Sequence, residues 1–419
     1  MAFYSKTKTG QNLVFGDNSE INLSTLKHRD ISSSISSTEI LIKPPAGYVG
    51  QSFGFGAAAA VGHGKIVIGS TSNNDISSNN GKAYVYDLNG NLEFSLTPTS
   101  STSGINFGCN VAINNGRIGV LSNENSKVDL YIYDLRGNFI AKKNSAIGNG
   151  FPYDGNISIG SGRIVLTSEY SHITPDSMEI YDLDGNLLKT LSSGSDYNVG
   201  DTLSGPTAIK YGKIIGWQHT NNDNNPHIWS MHDLDGQRVN TFQTDTNYEI
   251  DFPYESAMAN DYFGSSMDAG NQKIIFGAPY YNNQKGAIFI FDKNGSYETK
   301  IVGPGTRPND QFGSVCAIYG NKIYGGASQN NPGGPGRGAV YIFNTDGSNQ
   351  QKLIAATEPE DYLYFGEKIV ANQGTLVVPC GNKNKVYVYK INEFYSDYVD
   401  EMSNNTHGYK TSLTGTPGA

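Results

Sequence analysis

Residues 263–296, FGSSMDAGNQKIIFGAPYYNNQKGAIFIFDKNGS, hold the pattern that decides the fold. A Phe-Gly pair leads through a short turn into the apolar run KIIFG from Lys273, then a loop, the alternating aromatic run AIFIF, and the turn Asp292-Lys293-Asn294-Gly295. β-Branched and aromatic residues bounded by Gly, Asn and Asp signal strands, and short Gly-containing turns between them signal hairpins. With the polar run that follows, the unit reads as four antiparallel strands.

The same unit recurs along the chain. Its turn appears as YDLNGN from Tyr86, YDLRGN from Tyr133, YDLDGN from Tyr181, HDLDGQ from His232, FDKNGS from Phe291 and FNTDGS from Phe343, with YKINEF from Tyr389 as a seventh relative lacking the glycine. The residues opening these turns step by 47, 48, 51, 59, 52 and 46. A period near 50 is that of propeller blades. The apolar runs KIVIG (from Lys65), RIGVL (Arg117), RIVLT (Arg163), KIIGW (Lys213), KIYGG (Lys322) and TLVVP (Thr375) match KIIFG, and AYVYD, LYIYD, MEIYD, IWSMHD, VYIFN and VYVYK match AIFIFD. Seven repeats of four strands predict an all-β, seven-bladed β-propeller. Gly and Ala belong on the innermost strands, which crowd the channel, and apolar runs on second strands covered on both faces. The aromatic before each turn is expected to stack between blades, and His232 to be a packing residue in that position.

The ends indicate how the ring closes. The last repeat has no glycine turn into a fourth strand, whereas Glu39-Ile40-Leu41-Ile42-Lys43 copies the fourth-strand pattern of QKLIAATEPEDYLYFG. The N-terminal segment is therefore expected to supply the outer strand of the last blade, which leaves no exposed sheet edge there; residues 394–399 are the competing choice. The domains read as an N-terminal docking arm (1–37), the propeller (38–394) and a C-terminal tail (395–419).

Composition narrows the function classes. The 419 residues include 50 glycines and 44 asparagines but only 16% charged side chains, for a net charge of −9. The 27 Tyr and 18 Phe argue against a disordered chain. Seven scattered Arg and no basic cluster argue against a nucleic-acid partner. The start, MAFYSKTKTGQNLVFG, lacks the apolar core of about 7–15 residues that a secretory signal needs. No apolar run approaches the ~18–20 residues of a membrane span, so no membrane insertion is expected. Cys109, Cys316 and Cys380 lie in separate strand-like runs without metal-ligand spacing and read as small buried hydrophobes.

The blade at 263–291 and its second good copy from Phe312 resemble the FG-GAP repeat, the blade of integrin-α-like propellers. Blades one, two and seven keep FG without GAP, and blades three (FPYDGNISIG) and four (LSGPTAIKYG) keep neither intact. Many such blades bind Ca²⁺ in an Asp-rich loop between the first two strands. Here those connections are GHGK, NNGR, GSGR, YGK, GNQK, YGNK and NQGT, too short for the about six to eight oxygens that calcium takes. Asp182-Leu183-Asp184-Gly185-Asn186 falls in the hairpin turn without a distal Glu, so its aspartate is expected to cap backbone N–H groups. No metal, cofactor or catalytic residue is assigned.

Function is expected on the face that carries the long second-to-third and inter-blade connections. Tyr248, Glu249, Asp251, Phe252, Tyr254 and Glu255, with Tyr280 and Tyr281 nearby, combine rings and carboxylates as a glycan surface does. Sialidase-type boxes and HExxH are absent. Asp251 with Glu255 is the only carboxylate pair proposed for a polysaccharide-degrading enzyme. The polar ends, too poor in apolar residues for a core, suggest arms held by other proteins. The leading expectation is a non-enzymatic structural or adhesion module of a bacteriophage virion (tail, baseplate or capsid surface), assembled in the host cytoplasm. It would contact other virion proteins through 1–37 and 395–419, and a host surface glycan through its loops. A stand-alone glycan-binding propeller and a polysaccharide-degrading propeller are the alternatives.

Overall fold

The computed structural model describes residues 5–6, 12–14, 20–22, 35–46, 48, 54–71, 74–75, 78–99, 105–124, 127–148, 155–167, 177–192, 204–218, 228–242, 263–304, 309–330 and 335–391. Seven four-stranded antiparallel sheets follow one another around a ring. Blade one comprises Phe55–Gly62, Lys65–Ser70, Lys82–Asp87 and Leu92–Leu96, ordered from the axis outward. Blades two to six span 111–148, 156–192, 204–242, 266–302 and 316–353. Blade seven takes Val370–Asn372, Thr375–Cys380 and Lys385–Ile391 from the C-terminal side and Ile35–Ile42 from the N-terminal side as its outer strand. That strand pairs Ile42 with Val386 and Glu39 with Tyr389, so the ring closes as the N-terminal sequence predicts. Ser5–Lys6, Asn12–Val14 and Glu20–Asn22 form a separate three-stranded sheet within the predicted arm.

Six of the seven innermost hairpins turn in two residues, both at positive φ: His63-Gly64, Asn115-Gly116, Ser161-Gly162, Tyr211-Gly212, Asn271-Gln272 and Gln373-Gly374. This mirror-image turn matches the right-handed twist of its strands and selects Gly and Asn, which explains part of the compositional excess. The apolar cores of the second strands are buried, with Ile66, Val67 and Ile68 or Ile274 and Ile275 fully covered.

The Phe-Gly pairs do two jobs. Each phenylalanine packs against the two alternating aromatics of its own third strand: Phe107 edge-on against Tyr131 and Tyr133, Phe312 against Tyr341 and Phe343, and Phe365 against Tyr387 and Tyr389. Burying each such ring contributes about 1.5–3 kcal/mol. The same pair also stitches its blade to the preceding one. Phe107, Phe312 and Phe365 form parallel bridges with Gly81, Gly286 and Gly338, which precede the preceding blade's third strand. A Cβ on Gly286 would lie 1.9 Å from the Phe312 carbonyl oxygen, and one on Gly277 would lie 2.0 Å from that of Gly313. Two segments can approach so closely only where the residue facing the neighbouring backbone lacks a side chain.

At the closing joint Asn384, at φ 53°, takes the place of the bridging glycine, and its Oδ1 accepts the Phe55 N–H at 2.9 Å. Glu39 of the N-terminal strand accepts the Tyr389 hydroxyl and the Ala356 N–H, fastening that strand to the loop before blade seven. The three cysteines are free and buried, as predicted, and burial pushes the Cys316 thiol up to about 12.

Candidate functional site

On the short-turn face the aspartates close their own turns. Asp87 Oδ1 accepts the N–H groups of Asn89 and Asn91, both at 2.8 Å, while Oδ2 accepts Asn91 Nδ2. Asp134 repeats this with Arg136 and Asn138, and Asp182 with Asp184 and Asn186. Asp233 and Asp292 each accept the corresponding two backbone bonds. The Asn91 and Asn138 side chains, with the backbone donors, hold the carboxyls of Asp87 and Asp134 below the ordinary aspartate range. The sequence 182–186 is thus a hydrogen-bonded hairpin turn, in line with the capping role read from the sequence. Among the described residues no group of three or more His, Cys, Asp or Glu side chains is placed to hold a metal ion. No helix among them is long and apolar enough to cross a membrane.

Two arginines on this face tie neighbouring blades. Arg117, opening the second strand of blade two, donates from Nε to the Leu183 carbonyl and from Nη2 to Asp184 at 2.9 Å in the turn of blade three. Arg163 does the same one blade on, to the Leu234 carbonyl and Asp235. The forked guanidinium suits this, because one group meets a carbonyl and a carboxylate together.

Of the residues singled out for ligand contact, Tyr248, Glu249, Asp251, Phe252, Tyr254 and Glu255 lie outside the described residues. Tyr280 and Tyr281 are both half-buried beside the second strand of blade five. Tyr281 stands edge-on to Phe289, 5.7 Å between ring centres, and its hydroxyl accepts Lys300 Nζ at 2.8 Å. The turn after it, 282–284, holds Asn282, Asn283 and Gln284 at positive φ. His232 is fully buried in the position that carries Tyr or Phe in other blades, as expected of a packing residue.

A concave site opens elsewhere, between blades two and three. A cleft of ≈ 690 Å³ is lined by Lys142, Lys143, Asn144, Glu179, Tyr181 and Thr190, with the turn at Gly185–Leu187 at one end. Glu179, 1% exposed, accepts the Ser145 hydroxyl at 2.7 Å and the Tyr181 hydroxyl. Burial, with that bond to the Glu179 carboxylate, pushes the Tyr181 phenol far above its usual value, keeping it a neutral donor. Lys142 pairs with the buried Asp129 at 2.9 Å and lies over the Tyr131 ring. Treating the seven aromatic runs as equals misses Glu179. The signal in the sequence is MEIYD, the one run among AYVYD, LYIYD, MEIYD, AIFIFD, VYIFN and VYVYK with an acid in place of a ring.

No model of a protein family matches the chain, and no curated protein matches it. The structure is similar to that of Chaetomium thermophilum Raptor, with a TM-score of 0.50 and 10% identity, over 84% of this chain and 28% of that one. A Bacteroides caccae protein of unknown function is similar at a TM-score of 0.39 and 11% identity, over 60% of this chain and 78% of that one. The chain spans little more than a quarter of the Raptor chain's length, and at these identities the likeness concerns the fold alone.

Proposed function

We propose that the chain is a non-enzymatic structural or adhesion module, a virion component in which the propeller is a rigid ring. On this reading residues 1–37 and 395–419 dock on other virion proteins, and the long-loop face or an inter-blade cleft meets a host surface. The observation that carries the reading is how the polar chemistry of the described ring is used. Turn aspartates close their own turns, arginines join blade to blade, and Glu39 fastens the closing strand. Charge used to hold a scaffold in shape suits a part whose task is to present surfaces. The FG-GAP resemblance is consistent with such a role, since the stitch made by Phe-Gly and Gly286 is what the motif's residues achieve in this fold.

Cross-linking of the chain within native particles, read by mass spectrometry, tests this. Lys6, Lys8 and Lys27 of the arm and Lys410 of the tail are expected to link to other polypeptides. Links that reach only the chain's own propeller would remove the docking role. The glycan-binding reading is favoured by one specific feature, the mixed-charge cleft between blades two and three.

A further inference from the structure

At each joint the outer strand of one blade faces the aromatic side of the next. The facing position, paired across its own sheet with the third strand, is Leu96 in blade one, Leu191 in blade three, Ile301 in blade five, Leu353 in blade six and Ile42 in blade seven. All five are apolar. In blade two the same position, paired with Leu130, is Lys143. The surface opposite is Tyr84, Tyr131, Phe289, Tyr341 and Tyr387 in blades one, two, five, six and seven, Ser230 in blade four and Glu179 in blade three. Only at the joint between blades two and three does a cation face an acid where the other joints place at least one apolar side chain.

These two departures meet in the ≈ 690 Å³ cleft, and they do not neutralise each other there: Lys143 makes no ion pair among the described residues, while Glu179 is held by Ser145 and Tyr181. At the equivalent joint between blades one and two, Leu96 is buried against Tyr131 and Tyr133 in one continuous core. The difference replaces a closed apolar contact with an open polar one of a size within the ~300–1,000 Å³ of small-ligand sites. An ammonium group without a carboxylate partner calls for an anion. The exposed Asn144 and Thr190 side chains beside it call for hydroxyl groups.

We propose that the cleft between blades two and three binds a sugar unit bearing one carboxylate, a uronic or sialic acid residue of a glycan. Lys143 receives the carboxylate, and the exposed Asn144 and Thr190 meet ring hydroxyls, over a floor formed by the buried Glu179. The inference rests on the reading of the chain as a non-enzymatic binding module and specifies which ligand that module takes.

Titration calorimetry of the full chain with oligogalacturonate, with sialyllactose, and with neutral lactose and maltotriose tests it. At least one acidic sugar is expected to saturate the protein below about 10 mM, with neutral sugars at least about tenfold weaker. Lys143→Leu, which restores the apolar residue of those five blades, is expected to weaken binding at least about tenfold while leaving thermal stability unchanged or raised, and Lys143→Arg to retain it. The proposal is overturned if no acidic sugar saturates, if neutral sugars bind equally, or if binding survives Lys143→Leu. Acidic-sugar binding that survives Lys143→Leu but disappears in Tyr248→Ala would overturn the cleft and leave the adhesion reading standing.

Discussion

Among the described residues, the arc from blade five through seven and one to two is joined by backbone, and the arc from blade two to four by side chains. In the first arc backbone meets backbone: Gly81, Gly286 and Gly338 bridge to the next Phe-Gly, and Asn384 substitutes at the closing joint. In the second arc Arg117 and Arg163 reach across on the opposite face to the next blade's turn. Between them, at the joint of blades four and five, the buried Trp229 lies over Gly264. A backbone stitch depends on the absence of side chains and tolerates almost no substitution at its glycines. A side-chain bridge leaves the contact surfaces free to change, and the cleft with Lys143 and Glu179 lies in the arc joined that way.

The largest expected effect comes from breaking a stitch. Gly286→Ala places a methyl group against the Phe312 carbonyl at a residue whose φ is +82°, so a loss of at least about 3 kcal/mol is expected in urea unfolding. Gly162→Ala, at φ +76° with nothing within 4 Å of the new Cβ, pays only the conformational penalty of ~1–2 kcal/mol. Equal midpoints for the two variants would refute the stitch.

Cutting a bridge is expected to matter less. Arg163→Ala removes bonds to the Leu234 carbonyl and to a largely exposed Asp235, which should cost about 0.5–1.5 kcal/mol, part of it lost in high salt. Arg163→Lys keeps the charge but not the fork, and should recover less than half of that loss. A salt-independent cost above that of Gly286→Ala would reverse the ranking of the two arcs.

The smallest effect should be shared by both arcs. Asp87 and Asp134, and Asp182 against the upward pull of its partial burial, are held below aspartate's ordinary value of 3.8 by hydrogen bonds to the carboxylate. A carboxyl whose pKa is lower in the folded chain contributes stability that is complete above the unfolded value and disappears as pH falls through the folded one. Acid titration should therefore weaken the protein below pH 3.8, and Asp134→Asn should flatten that part of the stability curve in proportion. A change confined to higher pH would assign the effect to other groups.

The sequence carried the blade count through the turn at Asp87 and its successors, and the closing strand through Glu39–Lys43, because both depend on local chemistry repeated at a fixed period. The bridging role of Gly286 was less legible, since close approach involves a partner about 26 residues away whose position only the ring defines. The loop aromatics from Tyr248 to Glu255 fall outside the described residues. In the sequence Lys143 is one polar residue on a polar outer strand, and Glu179 one acid in a run that elsewhere holds rings.

What the sequence by itself determined was the unit: strands from alternating apolar residues, turns from Asp and Gly, and a ring from seven similar repeats. What only the tertiary structure decided was which residues of different blades face one another. Register within a sheet follows from local pattern, but the pairing of Lys143 with the space beside Glu179 follows from how one blade packs on the next. The 35 residues of chain between Lys143 and Glu179 hide that juxtaposition from any local reading.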